Sequence, residues 1–177
     1  LLHASERQLQ QLATIDGLTG IKNRRAFDAR LEMEWSRACR SRRPLALLFV
    51  DVDRFKQYND TYGHLAGDDC LRRIAEALDA LATRSTDTNA RYGGEEFAVL
   101  VADETAGDAA LLAERMRVGI ASLAIPHAAS EEGRVTISVG VAGCVPAIGD
   151  APNVLIAAAD AALYEAKRAG RNAVVIA

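Results

Sequence analysis

Arg91-Tyr92-Gly93-Gly94-Glu95-Glu96-Phe97 is the stretch whose reading decides the fold. It reads as a hairpin: a short polar strand, two glycines, then the apolar-rich run Phe97-Ala98-Val99-Leu100-Val101. A Gly-Gly loop suits a two-residue turn, because such turns need a positive φ that a Cβ penalises. The unusual part is the pair of carboxylates placed directly after the turn. Adjacent acids repel each other and weaken the start of a strand. Two readings stand: the acids are solvated, or they hold a cation.

A second acidic site bears on that choice. Leu45 to Val50 form an apolar run, the pattern of a buried central strand, and Asp51-Val52-Asp53 follow directly. Alternation points Asp51 and Asp53 the same way at the C-terminal end of this strand. A strand that ends in solvent, with an acid capping the next helix, accounts well for Asp53. It accounts poorly for Asp51, which is still flanked by Val50 and Val52. Hard oxygen donors at a strand end, plus a glutamate from a neighbouring hairpin, are what magnesium with a nucleotide phosphate requires. Period-two alternation lets only one of Glu95 and Glu96 share a face with Asp51, and the sequence leaves open which.

The chain has 177 residues, half of them hydrophobic, which is enough for one domain with a full core. Its 21 basic and 24 acidic side chains leave a net charge of −3, which argues against a general nucleic-acid binder. Cys39, Cys70 and Cys144 are widely spaced, without a C-x-x-C pair, and read as reduced thiols of a cytosolic protein. No apolar run reaches the length of a membrane span, and no signal peptide is visible. Starting at Leu1, the chain is expected to be a piece of something longer. Leu2, Leu9 and Leu12 suggest that 1–13 is the end of an upstream helix, with the domain proper at 14–177.

Helices are expected from an Asn23 cap to about Arg40, from Ala66 to Ala82, and from Gly107 to Leu123 with Leu111, Leu112, Met116 and Ile120 buried. A last helix runs from an Asn153 cap to a Gly170 C-cap. Strands are expected at Leu45–Asp53, Phe97–Ala102, Arg134–Cys144 and Ala173–Ile176, with a short helical turn near Phe55–Asp60. Pro126 to Gly133 looks the least ordered. The order β-α-β-β-α-β-α-β suggests an α+β domain whose largely antiparallel sheet is covered by helices.

Five blocks, in order, closely resemble the GGDEF family of diguanylate cyclases. They are D-G-L-T-G-I-K-N-R-R (Asp16 to Arg25), F-V-D-V-D-R-F-K-Q-Y-N-D-T-Y-G-H-L-A-G-D (Phe49 to Asp68), the G-G-E-E-F variant of the signature itself, T-I-S-V-G-V-A (Thr136 to Ala142), and A-D-A-A-L-Y-E-A-K-R-A-G-R-N (Ala159 to Asn172). The resemblance implies a palm-like sheet related to nucleotide cyclases and polymerases. It also implies a cytoplasmic enzyme that joins two GTP into cyclic di-GMP with loss of two pyrophosphates. The active state would be a homodimer, with an upstream sensor domain and any membrane anchor lying outside this chain.

On that resemblance Asp51, Glu95 and the Val52 carbonyl ligate magnesium (or manganese), and Glu95 is the candidate base; Asp53 and Glu96 are secondary candidates. Asn59 and Asp68 match the guanine readers. Phe55, Lys56, Lys167 and Arg171 match triphosphate contacts, with His64 beside them in a role left open. Gly93 and Gly94 would let the nucleotide approach bare backbone. Arg84 and Asp87 match an R-x-x-D product-inhibition site, with five residues separating Asp87 from Gly93. Two other readings are a catalytically silent cyclic di-GMP receptor and a relative that takes ATP in place of one GTP.

Overall fold

The run beginning at Leu45 becomes the centre of a six-stranded sheet in the computed structural model, which describes residues 13–177. In chain order the elements are β1 (Lys22–Asn23), α1 (Arg24–Ser41), β2 (Leu45–Val52), α2 (Phe55–Tyr62), α3 (His64–Leu81) and β3 (Thr88–Arg91). Then come β4 (Glu96–Ala102), α4 (Ala106–Ser122), β5 (Ile137–Cys144), α5 (Asn153–Arg168) and β6 (Val174–Ile176). The strand order is β1-β3-β4-β2-β5-β6. β2 is antiparallel to both β4 and β5, and β3 is antiparallel to β4. The edge strands β1 and β6 pair in parallel, so the sheet is mixed. The two-residue β1 had no signal in the sequence. The helix expected over 1–13 lies, except for Ala13, outside the described residues.

Every residue of β2 is buried, because helices cover both faces of the sheet. Leu45, Leu47 and Phe49 pack with Phe27, Leu31 and Trp35 of α1 and with Leu155, Ala159 and Leu163 of α5. Ala46, Leu48, Val50 and Val52 face Tyr58 of α2, Ile74 and Leu78 of α3, and Met116 and Ile120 of α4. Burying each of the larger side chains contributes about 1.5–3 kcal/mol before chain entropy is counted. Gly140 sets how closely α5 lies on β5. A Cβ there would sit 2.2 Å from the Leu163 backbone N and 2.3 Å from the Ala159 O. This contact places the end of α5 beside the end of β2.

Several local expectations change. The hairpin is not a two-residue turn: Arg91 pairs with Phe97, the Tyr92 and Gly93 N–H groups both donate to the Glu96 carbonyl, and neither glycine takes a positive φ. Leu111 is exposed, since the buried stripe of α4 runs through Ala109, Leu112, Ala113 and Met116. That helix starts one residue earlier than Gly107, at a Thr105–Asp108 capping box. The helix after Gly63 begins at His64, not Ala66. Asn153 is the first residue of α5, with Pro152 at its N-cap, and Gly170 follows the Ala169 C-cap with φ 110°. Asn23 does cap α1, accepting from the Ala26 N–H at 3.0 Å.

The segment 126–133 is tied down. His127 is 1 % exposed, the Val135 N–H donates to the Ile125 carbonyl, and the His127 N–H to that of Gly133.

Candidate active site

Asp51 is the next-to-last residue of β2, directly opposite Glu96 on β4 and Ser138 on β5. Cross-strand partners share a face, so by register Glu96 lies on Asp51's side of the sheet; β4 begins at Glu96, so Glu95 belongs to the loop and is not bound by that alternation. Glu95 adjoins through its backbone, its carbonyl accepting from the Val52 N–H at 3.2 Å. Burial pushes the Asp51 carboxyl up to about 6; Lys167 opposes the rise, and Glu95 and Glu96 add to it. The opposing cation is in direct contact, with Lys167 Nζ 2.9 Å from Asp51 Oδ2.

Asp53 behaves differently from both expectations made for it. It caps no helix and does not end in solvent. Arg54 is the N-cap of α2, in the left-handed region at φ 52°, with no side-chain cap bond. The buried Asp53 carboxylate instead accepts from Thr136 Oγ1 at 2.7 Å, Ser138 Oγ at 2.6 Å and the Asn172 N–H at 2.9 Å. It ties β2 to β5 and to the chain leaving α5.

The hairpin is anchored by a residue that sequence reasoning passed over. Arg91 donates to the Gly94 carbonyl from Nε at 3.1 Å and Nη2 at 2.8 Å, while its Nη1 lies 3.3 Å from Asp16 Oδ1. Burial acts to raise the Asp16 carboxyl, but the Thr19 hydroxyl and N–H and the Arg91 charge hold it below its usual range. The Asp16-Gly17-Leu18-Thr19-Gly20 turn therefore steadies the acidic hairpin. Gly93 is confined, since a Cβ would come within 2.5 Å of Glu96 Oε2, whereas nothing lies within 4 Å of one built on Gly94.

On the opposite flank, α2 and the start of α3 bring Asn59 and Asp68 together. Gly67 makes room for this, since a Cβ on it would lie 1.8 Å from Asn59 Oδ1. That oxygen is buried without a hydrogen-bond partner among the described residues. Asp68 is half-buried, while Lys56, His64 and Arg171 are exposed. The Phe55 ring is core, so only its backbone is open to a ligand.

Arg84 and Asp87 stand apart from these groups, on a cavity of about 250 Å³ that Glu104 and Arg115 also line. Arg84 is ion-paired with Glu104. Burial raises the Asp87 carboxyl, and its Oδ1 is buried without a partner among the described residues. Arg115 is exposed and Glu104 half-buried, neither in a distinguishing sequence pattern, so the sequence offered no signal for either.

Among the described residues, no three His, Cys, Asp or Glu side chains are placed to hold a metal ion on their own. The residues still fit a hard divalent cation that shares its shell with a phosphate. Asp51 is a desolvated carboxylate beside two further acids, and its cation partner, Lys167, is half-exposed.

A sequence model described as "Diguanylate cyclase, GGDEF domain" matches residues 13–173. The response regulator PleD of Caulobacter vibrioides is 42 % identical over 166 residues, covering 93 % of this chain and 36 % of PleD. The coiled coil and GGDEF domain of DgcB from Caulobacter crescentus, solved in complex with c-di-GMP, superposes with a TM-score of 0.85 at 36 % identity, over 99 % of this chain and 92 % of that one. The active GGEEF domain of a diguanylate cyclase from Vibrio cholerae superposes with a TM-score of 0.76 at 33 % identity, over 87 % of this chain and 96 % of that one. The chain spans less than half the length of the curated relatives it matches. No helix among the described residues is long and apolar enough to cross a membrane.

Proposed function

This chain belongs to the GGDEF family of diguanylate cyclases, and on that footing we propose that it condenses two GTP molecules into cyclic di-GMP. The observation that carries the reading is the buried Asp51 carboxylate beside the Glu95-Glu96 hairpin, with a lysine in contact and, on the next helix, an Asn59 oxygen that has no partner among the described residues.

Asp51, Glu95 and the Val52 carbonyl are the residues suited to hold magnesium or manganese; when bound, the metal would neutralise phosphate charge and acidify the attacking hydroxyl. Glu95 accepts the proton of a GTP 3′-hydroxyl as its oxygen bonds to the α-phosphorus of the second GTP. The bond to the β-phosphate breaks and pyrophosphate leaves. The same exchange, run in the other direction, closes the ring and releases the second pyrophosphate. Lys56, Lys167 and Arg171 balance the triphosphate charge, with the backbone of Phe55 and Lys56 as donors at the start of α2. Asn59 and Asp68 select guanine, because Asp68 takes its N1 and amino protons and adenine offers neither. One protomer holds one GTP, so turnover takes two protomers face to face.

Product would lodge at Arg84 and Asp87, where an arginine forks a phosphate and an acid accepts from guanine. The c-di-GMP complex of DgcB supports binding of this product by the fold, and the active Vibrio cholerae domain supports turnover with a GGEEF signature.

Chromatography of the products formed from GTP and magnesium tests it. Cyclic di-GMP is expected from the parent, and Glu95→Gln is expected to lower turnover by roughly 10²–10⁴-fold. No product from the parent at high protein concentration favours the silent receptor, and full turnover by Glu95→Gln removes Glu95 from the mechanism.

A further inference from the structure

His127 has no part in the chemistry above, yet its imidazole is buried at 1 % exposure against the helix that carries Lys56 and Asn59. Its Nε2 lies 3.0 Å from the Arg54 carbonyl oxygen. A carbonyl only accepts, so Nε2 carries the proton, and in a neutral ring Nδ1 is then the acceptor. That Nδ1 is buried and has no partner among the described residues. A purely packing role would be met better by an apolar ring, which leaves no orphaned nitrogen.

What the imidazole holds is unusual backbone. Arg54 is a non-glycine residue at φ 52°, ψ 36°, and it caps α2 without a side-chain cap bond. Left-handed geometry at such a residue persists only where its surroundings hold it. The holding groups come from 126–133, the segment between α4 and β5. His127 donates to the Arg54 carbonyl, which also takes the Tyr58 N–H of α2 at 3.0 Å, and Arg54 Nη2 lies 3.3 Å from Glu131 Oε1. At the far end of α2 the Ala128 N–H donates to Tyr62 Oη at 2.9 Å. In between, the His127 ring meets the Tyr58 ring edge-on at 5.3 Å. The same segment reaches the other phosphate-side cation, since Glu131, Glu132, Arg54 and Arg171 line one small cavity.

We propose that His127 is a positioning residue for the GTP site: through the Arg54 carbonyl it sets the turn from β2 into α2, and so the placement of the Phe55 and Lys56 backbone, Lys56 and Asn59. The segment 126–133 acts as a brace along α2, and His127 is its one fully buried polar contact. This rests on reading that helix as a wall of the GTP site.

The test measures two affinities on the full chain by calorimetry: 3′-deoxy-GTP with magnesium, which cannot react, and cyclic di-GMP at the Arg84 cavity. His127→Phe keeps the ring against Tyr58 and removes the donor; His127→Gln keeps an N–H donor near the position of Nε2. Loss of a supporting hydrogen bond of this kind costs about tenfold or more. His127→Phe should bind 3′-deoxy-GTP about tenfold more weakly than the parent, with cyclic di-GMP affinity unchanged, and His127→Gln should recover most of the loss. Equal 3′-deoxy-GTP affinity in His127→Phe and parent overturns the proposal. So does a parallel loss at both sites, the mark of a merely structural role. Failure of the parent itself to bind 3′-deoxy-GTP brings down the functional reading, and the brace with it.

Discussion

Lys167 Nζ stands 2.9 Å from Asp51 Oδ2, so the acid at the end of β2 meets a cation from the last turn of α5. The lysine only partly offsets burial, and the Asp51 carboxyl remains raised to about 6. Folded protein therefore holds a proton that the unfolded chain has released between about pH 4 and pH 6. Stability falls as pH rises through that window, and above it the ionised group opposes folding.

Asp51→Asn removes this dependence. In metal-free buffer at pH 8 the variant should be more stable than the parent by on the order of 1–3 kcal/mol. Near pH 4, where the parent carboxyl is protonated, the gain should vanish. Denaturant titrations at the two pH values check this, and a variant less stable at pH 8 would refute the stored cost.

Asp53 should behave in the opposite way, because its carboxylate is satisfied. Asp53→Ala leaves two hydroxyls and the Asn172 N–H without their acceptor. Hydrogen bonds to a charged group contribute about 1.5–3 kcal/mol each, not additively. A loss of roughly 3 kcal/mol or more is expected in urea unfolding. Unchanged stability, with loss only of turnover, would move Asp53 back among the metal ligands.

Two glycines separate folding from function. Gly94→Ala meets nothing within 4 Å and needs no positive φ, so its melting should match the parent. If nucleotide approaches that backbone, 3′-deoxy-GTP affinity should fall by about tenfold or more. Gly67→Ala puts a methyl into the Asn59 amide, and should cost discrimination between GTP and ATP. A Gly94→Ala protein that binds like the parent would show that only the chain's own turn uses this glycine.

Arg84 is held by Glu104, so a product bound at the proposed site would compete with that contact. Arg84→Ala should weaken cyclic di-GMP binding by about ten- to a hundred-fold, given roughly 1.5–3 kcal/mol for the charge-assisted bonds lost. Glu104→Gln should tighten it by a few-fold, since the guanidinium is then released; turnover at low product should stay near parental in both. Calorimetry on the pair decides: identical affinities in all three proteins would mean the cavity is no product site.

The sequence by itself determined what repeats locally. An unbroken apolar run at Leu45 to Val50 leaves no solvent face and must be a central strand. The spacing of Phe27, Leu31, Glu34, Trp35 and Ala38 matches the buried stripe of α1, because helical period and burial are properties of neighbouring residues. The motif blocks likewise picked out the candidate acids, amide and cations, since each block is a short contiguous signal.

Tertiary structure decided which of these groups meet, and which merely hold others in place. Asp53 looked like a solvated cap until Thr136, Ser138 and Asn172 arrived from other elements. Lys167 reaches Asp51 only because Gly140 lets α5 settle onto β5. The Arg91 link from Asp16 to Gly94, and the His127 brace on Arg54, likewise join distant segments. Such pairs are set by strand register and by the fit of helices onto the sheet, and no local periodicity encodes them.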